Sequence, residues 1–220
     1  MKRHHIDTLA SVLSPALRGW AGLTAAVAVV SLLLQYALLL RTPGQGVADA
    51  TLRYLGYFTI LSNIGVAVVC LALACGRRTG LAGPVPRAAV ALFIGITGLI
   101  YVTLLAPLWD PQGAQWWADT GLHYAVPVMY LVGWLAGPHG GLHRRGLLAA
   151  LAFPTVYLGW ALLVGRLSGQ YPYPYPFLDL RALGTALVLR NLLGVAVVFV
   201  VGGALLWWLD RALAARRRRR

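Results

Sequence analysis

Carboxylates are scarce in this chain, which has six aspartates and no glutamate among its 220 residues. Charged residues of both signs make up only 11% of the chain, whereas 59% of it is hydrophobic. A soluble domain could not cover that much apolar surface with so few charges, so a lipid bilayer must act as the solvent for much of the chain. The composition therefore predicts an integral membrane protein.

Polar–apolar alternation is also missing from the apolar runs. In hydrocarbon every backbone N–H and C=O group needs a partner within the protein, which leaves helices or a closed barrel. Barrel strands alternate polar and apolar residues, whereas the run at 23–30 does not. The sequence therefore predicts an all-α, polytopic membrane helix bundle.

The chain has few residues that could hold a metal or a cofactor. Its two cysteines, Cys70 and Cys75, lie five residues apart, a spacing that does not place them on one helix face. His123 is the only histidine within an apolar run, so a haem with two axial histidines is disfavoured. No GxSxG elbow, phosphate-binding glycine loop or HExxH pattern is present. We expect neither a metal nor another cofactor.

Six apolar runs are long enough to cross a bilayer or nearly so. The fourth is the shortest and Pro154 interrupts the fifth, so five crossings with a re-entrant segment are the alternative. The chain is interpreted as one membrane domain over 1–220, with a basic cytoplasmic tail at 212–220. The six predicted spans cover residues 19–40, 54–75, 88–108, 119–137, 146–165 and 184–209.

The positions of lysine and arginine predict the orientation. With the N-terminus inside, the basic pairs at 77–78 and 144–145 and the arginines at 216–220 all fall on the cytoplasmic side. We therefore expect a multi-pass protein of the cell membrane with both termini in the cytoplasm. The net charge of +13 follows from this distribution and does not indicate a nucleic-acid partner. The opposite side collects four aspartates, at positions 49, 110, 119 and 179.

Two polar residues inside the spans have side chains that could perform chemistry. Thr59 lies about 9 Å into its helix and His123 about 6 Å into another, counted from the same face. A nucleophile and its base must lie at similar depth to meet. The structural alternative for Thr59 is a hydroxyl that hydrogen-bonds to the backbone of its own helix. For His123 it is a neutral imidazole that is hydrogen-bonded between helices. Asn63 lies one helical turn after Thr59 and therefore on the same helix face. This spacing predicts a line of polar side chains that faces the interior of the bundle.

Two further charged residues have both functional and structural interpretations. Asp119 precedes His123 by one helical turn and could orient its imidazole, or it could be a solvated carboxylate at a helix start. Arg190, followed by Asn191, lies within the last span. A buried arginine needs an anion, either an aspartate or a substrate carboxylate, unless its head group extends to the interface.

Three ordered motifs carry a resemblance to a known family. They are Tyr57-Phe58-Thr59-Ile60-Leu61-Ser62-Asn63, then Trp109-Asp110-Pro111 followed by Leu122-His123-Tyr124-Ala125-Val126-Pro127, then Tyr173-Pro174-Tyr175-Pro176-Phe177-Leu178-Asp179. Together they resemble the bacterial Pr-six-Pr family of six-helix membrane proteins over most of the chain. More distantly, they are similar to the animal androgen-induced and androgen-dependent TFPI-regulating proteins of the FAR-17a type. Those proteins are intramembrane threonine hydrolases that cleave fatty acid esters of hydroxy fatty acids.

The resemblance implies a hydrolase of lipid esters in which Thr59 is the nucleophile and His123 the base. Reaction type transfers better than substrate does, because the Trp-Asp-Pro element and the Tyr-Pro run belong to the bacterial pattern alone. The expected partners are membrane lipids and a lipid ester. Substrate contacts are expected from Trp109, Asp110, Tyr175, Arg190 and Asn191, with Asp119 and Asn63 in supporting roles.

A non-enzymatic multi-pass protein, either a small transporter or a lipid-binding scaffold, is the alternative. Transporters favour internal repeats and several polar groups at the bilayer midplane. No repeat is detected here, and the polar residues cluster toward one face. That distribution favours a one-sided pocket over a transport pathway.

Overall fold

The computed structural model describes residues 13–167 and 173–219, and within these ranges the chain is helical and has no strand. The all-α prediction is confirmed for the described residues. Two π-helical turns, at Tyr101–Leu105 and Gly121–Ala125, extend α4 and join α5 to α6. The helices are α1 Pro15–Leu40, α2 Val47–Leu55, α3 Phe58–Ala74, α4 Pro84–Ile100, α5 Ala114–Thr120, α6 Val126–Ala136, α7 Arg144–Ala150, α8 Ala152–Leu167 and α9 Leu180–Arg218.

Four helical stretches of the described chain are long and apolar enough to cross a membrane. Helices α2 and α3 pass the same test together but are bent by 78°, so the number is five if this pair is one span. The chain therefore has four or five potential spans, whereas six crossings and cytoplasmic termini stay predictions. The four stretches are Pro15–Leu40, Pro84–Leu108, Arg144–Arg166 and Leu180–Arg218.

The predicted fourth span, 119–137, is helical but is not one of these apolar stretches. It runs through α5, the second π turn and α6. Asp119 and His123 lie in this segment and lower its hydropathy. Asp119 faces the protein, because it is only 4% exposed. Hydropathy therefore does not mark this segment as a crossing, and the fourth span stays a prediction.

Two other predicted spans start differently in the structure. The second is predicted from residue 54, but α2 ends at Leu55 and α3 begins at Phe58 beyond the 78° bend. Helix α9 begins at Leu180, where Asp179 Oδ1 caps the backbone amides of Arg181 and Ala182 at 2.9 and 3.1 Å. Within α9, Gly184 has a φ of +72° and interrupts the helical geometry. The regular part of α9 therefore begins near the predicted residue 184.

Helix α4 lies at the centre of the bundle and contacts α3, α6, α7 and α9. Every residue from Arg87 to Ile94 is buried, so this helix has no lipid-facing side over two turns. Next to it, five aromatic rings pack with centroids 5.1–6.5 Å apart. This cluster fixes the start of α3, and therefore Thr59, against α4, α8 and α9. Its members are Phe58, Phe93, Phe153, Tyr157 and Phe199.

Candidate functional site

Thr59 is buried in the first turn of α3, with 7% of its surface exposed. Its Oγ1 lies 3.4 Å from Tyr175 Oη, and its backbone N–H donates to the same oxygen over 3.3 Å. The hydroxyl thus faces another segment of the chain, unlike Thr103, whose hydroxyl donates to Leu99 O in its own helix. Both the nucleophile candidate and a helix N-terminus point at Tyr175.

A second tyrosine completes the cap of α3. The first amides of a helix have no partner within it and need an acceptor from elsewhere. Tyr157 Oη accepts from Phe58 N at 3.1 Å and donates to Gly56 O at 2.9 Å. The Tyr157 hydroxyl therefore bridges the two sides of the bend before α3. No sequence pattern indicated this role.

Replacement of Tyr157 by phenylalanine is expected to destabilise the fold by about 1–3 kcal/mol. The ring would stay packed, but a buried N–H and a buried C=O would each lose their partner. The measurement is the thermal unfolding midpoint of the detergent-purified protein. Tyr124→Phe is the matched control, because the Tyr124 side chain is 41% exposed and its hydroxyl has no hydrogen bond among the described residues. Equal midpoints in the two variants would contradict the bridging role.

Asn63 connects the backbone of the nucleophile candidate to that of the base candidate. Its side chain is fully buried, and its Nδ2 donates to Thr59 O at 2.8 Å and to Leu122 O at 3.2 Å. Leu122 directly precedes His123. The line of polar side chains predicted from the sequence therefore faces the bundle, and one amide ties α3 to the π turn that carries His123.

His123 is held through one ring nitrogen. Its Nδ1 lies 3.1 Å from Asp119 O and 3.0 Å from Asp119 Oδ1. Since both are acceptors, the proton belongs on Nδ1, which leaves the lone pair on Nε2. Asp119 is buried, so its interpretation as a solvated carboxylate at a helix start is wrong. The hydrogen bond of Nδ1 is to the backbone oxygen of Asp119, whereas Oδ1 lies close by without a hydrogen bond, so the carboxylate acts on the imidazole through its charge.

Tyr101 supports this pair and was not identified from the sequence. Its ring stacks on His123 with centroids 3.7 Å apart, and its hydroxyl donates to Asp119 Oδ2 at 2.6 Å. Trp109 Nε1 donates to Tyr101 Oη at 2.9 Å. Tyr101 and His123 both lie in π turns, which change the direction of side chains at functional sites.

Each of the two π turns is followed by a proline, and these prolines were the sequence signal that could have indicated the turns. Pro107 and Pro127 have no N–H, so the carbonyls four residues earlier lose their helical donor. Those carbonyls belong to Thr103 and His123. The helix widens where the donor is missing. Proline spacing could therefore have indicated the irregular turns, although not which rings would meet.

Two cavities meet at Thr59. The polar cavity has a volume of about 550 Å³, and the apolar cavity has a volume of about 370 Å³. Thr59, Leu105 and Tyr175 line both of them. His123 lines only the polar cavity, and no hydrogen bond joins it to Thr59 in the structure described here. The polar cavity is lined by Arg53, Thr59, Tyr101, Asp119, His123 and Tyr175, among others, and the apolar one by Phe58, Ile96, Leu151, Leu158, Phe177 and Phe199, among others.

Not all predicted substrate residues reach these cavities. Trp109 and Tyr175 line the polar cavity, but Asp110, Arg190 and Asn191 line neither. Arg190 is exposed on α9, as in the alternative in which its head group extends to the interface, and the arginine at the cavity is Arg53. Asn191 instead donates from Nδ2 to Phe177 O at 3.0 Å and holds the turn before α9.

Comparison with known proteins does not identify a family for the chain. No protein-family model matches it, and no curated protein and no solved structure shows significant similarity to it. Within residues 13–167 and 173–219, no group of three or more histidine, cysteine or acidic side chains is placed to hold a metal ion. The first two residues of the Tyr-Pro run, 171–172, lie outside the described residues.

Proposed function

We infer that the protein is an intramembrane hydrolase of lipid esters, with Thr59 as nucleophile and His123 as general base. The observation that carries this proposal is that both side chains line one cavity while His123 Nδ1 is held by Asp119. Nε2 is then the nitrogen with a free lone pair. This is the tautomer that a general base needs.

The proposed reaction has two steps. In the first, Thr59 Oγ1 attacks the ester carbonyl and its proton moves to His123 Nε2, directly or through one water. The C–O bond to the alcohol then breaks, the alcohol takes the proton from Nε2, and an acyl-threonine remains. In the second, His123 Nε2 removes a proton from water, which attacks the acyl carbon; the bond between that carbon and Thr59 Oγ1 breaks, Oγ1 takes the proton from Nε2, and the fatty acid leaves. The imidazolium that forms in each step lies beside the Asp119 carboxylate.

Tyr175 is proposed to stabilise the oxyanion. Its hydroxyl lies beside both Oγ1 and the backbone N–H of Thr59, next to the N-terminus of α3. Burial raises the pKa of the Tyr175 hydroxyl, so it stays protonated and able to donate at neutral pH. A donor at this position stabilises the charge that develops when the nucleophile attacks.

The shapes of the two cavities suggest how an ester would lie. The apolar cavity is lined by aliphatic and aromatic side chains and suits an acyl chain. The polar cavity contains His123 and Arg53 and suits the alcohol part or a polar head group. The carbonyl would then lie between them at Thr59, which lines both.

The test is to look for the acyl-enzyme. Detergent-purified protein would be incubated with a panel of lipid esters and, separately, with an alkyl fluorophosphonate that reacts with activated hydroxyls. We expect ester hydrolysis and a single adduct that peptide mapping places on Thr59, with no adduct on heat-unfolded protein. Labelling at other hydroxyls to the same extent, or hydrolysis without any adduct, would contradict the proposal.

The same proposal includes the topology predicted from the sequence. The chain would cross the cell membrane six times, with α2–α3 as the second crossing and α5–α6 as the fourth. Arginines at 77–78, 144–145 and 216–219 would then lie on the cytoplasmic side, as the positive-inside rule favours. Thr59 and His123 would lie near the opposite face.

Lipid binding without chemistry is the second candidate function. The apolar cavity between α3, α4, α8 and α9 supports it, because such a cavity can hold an acyl chain whether or not it is cleaved. Retention of fatty acids or intact esters by the protein, with no hydrolysis and no threonine adduct, would favour this function.

A further inference from the structure

A second polar cavity lies at the other end of the bundle from Thr59. Helix α3 begins beside Thr59 and ends at Ala74, and Leu73 in its last turn lines this cavity of about 350 Å³. Its charged lining consists of Arg78, Arg87 and His139. No carboxylate lines it. We call it the basic cavity, and it shares no lining residue with the Thr59 cavities.

Arg87 is the central residue of the basic cavity. It is 6% exposed, and its Nη2 donates to Pro138 O at 3.0 Å. A guanidinium has five N–H donors, so this bond leaves most of them unused. The other nitrogens of Arg87 make no hydrogen bond within the described structure and keep some exposed surface, so they are available to a ligand in the cavity that this side chain lines.

No carboxylate lies within ion-pair distance of this arginine among the described residues, and the Asp210 carboxylate acts on it only from farther away. The two ion pairs found there, His123–Asp119 and His139–Asp210, include neither Arg87 nor Arg78. Both oxygens of Asp210 are engaged, by His139 Nδ1 at 3.3 Å and by Leu142 N at 3.1 Å. A buried cation without a paired anion is costly, so an anion that entered the cavity would be stabilised beside Arg87.

His139 lines the same cavity. Its Nδ1 lies 3.3 Å from Asp210 Oδ1 and its Nε2 lies 3.1 Å from the carbonyl oxygen of Leu135. The two contacts fix the position of the ring at the cavity wall. Nearby, Arg217 Nη2 donates to Ala136 O at 2.7 Å, which brings another guanidinium to the end of α6.

The wall of the basic cavity is formed by the 137–143 loop, which is held on several sides. Arg87 binds Pro138 O, and Asp210 binds His139 and Leu142 N. The loop also packs tightly against α4, because a Cβ at Gly141 would collide with the Pro84 ring. The cavity is therefore formed before any ligand binds, which reduces the entropy lost on binding.

We propose that the basic cavity binds a phosphate group. Arg87 offers the paired donors that grip two phosphate oxygens, and Arg78 supplies a second cation on the same cavity. A phosphate has enough oxygens to reach both arginines, whereas a carboxylate has only two. At a membrane surface the phosphate can come from an anionic phospholipid or from a soluble phosphate compound.

The experiment measures the two sources separately on the full-length protein. One arm reconstitutes it in nanodiscs of phosphatidylcholine with phosphatidylglycerol and measures by native mass spectrometry which lipid stays bound. The other measures the unfolding midpoint in detergent with inorganic phosphate, against chloride of equal ionic strength. The variants are Arg78→Gln and Arg87→Gln, and the matched control is Arg145→Gln, an exposed arginine that does not line the cavity.

We expect Arg78→Gln and Arg87→Gln each to weaken binding by roughly tenfold or more, because each removes a charged donor to the phosphate. Arg145→Gln should leave it within about twofold of the wild type. Selective retention of phosphatidylglycerol identifies a lipid phosphate, and a midpoint raised by inorganic phosphate alone identifies a soluble one. No selective binding in either arm, or equal losses in all three variants, would overturn the proposal. If Arg87→Gln does not fold, the test of phosphate binding rests on Arg78→Gln. The Arg78 side chain makes no hydrogen bond within the described structure, so its replacement should not disturb the fold.

Discussion

Thr59→Ala is expected to lower ester hydrolysis by about 10³-fold or more, because no acyl-enzyme can form without the nucleophile. Thr59→Ser should retain part of the activity, since it keeps the hydroxyl and loses only the methyl group. The rate of ester cleavage by detergent-purified protein is the measurement. The fold should survive both changes, because Oγ1 makes only one long hydrogen bond, of 3.4 Å to Tyr175.

The control for Thr59→Ala is Thr103→Ala, which removes a hydroxyl that is bonded within its own helix and lies outside both cavities. It should keep the wild-type rate. A double variant with His123→Gln adds a sharper test. Residues that act as one catalytic unit are not additive, so the double variant should be no slower than Thr59→Ala by more than about twofold. Losses that multiply would show that the two residues act independently.

Tyr175→Phe is expected to lower kcat by about 10²- to 10³-fold, the usual cost of removing one oxyanion donor. The ring would stay stacked on Phe177, whose ring centroid lies 5.2 Å away, so the substrate cavities would keep their walls. KM should therefore change little. The measurement is steady-state hydrolysis of a lipid ester with kcat and KM determined separately.

Tyr124→Phe serves as the control for Tyr175→Phe, since the ring is kept and the hydroxyl removed has no hydrogen bond among the described residues. A fall in the labelling of Thr59 by the fluorophosphonate should accompany the fall in kcat. A variant with unchanged kcat and a raised KM would instead assign Tyr175 to substrate binding. That outcome would place the oxyanion contact elsewhere at the start of α3.

The helical class could be predicted because it depends on composition and local pattern. Long apolar runs must be helical in hydrocarbon, so the positions of α1, α4 and α9 follow from hydropathy, although α9 continues to Arg218, beyond the predicted end at residue 209. The bend before Phe58 could not be predicted in the same way. It is held by Tyr157, about a hundred residues later in the chain, through its bonds to Phe58 N and Gly56 O.

The same distinction applies to the candidate site: contacts set by helical spacing could be predicted, whereas contacts set by the packing of separate helices could not. Helical spacing places Asn63 on the Thr59 face and Asp119 one turn before His123, and the structure has both arrangements. The position of Arg190 follows instead from the rotation of α9 in the bundle. Helix α9 carries apolar residues on all sides, so hydropathy does not show which side faces inward and could not decide between a buried and an exposed Arg190.

The sequence by itself determined that this chain is helical, with helices long and apolar enough to cross a membrane, and it predicted Thr59 and His123 at similar depth. Both inferences follow from hydropathy and from the fixed rise and turn of a helix. Only the tertiary structure decided that Tyr175 meets Thr59, that Tyr101 stacks on His123 and that Arg87 opens into a cavity without a carboxylate. Each of these contacts joins different helices or loops. They depend on how those elements pack, and no local pattern encodes that packing.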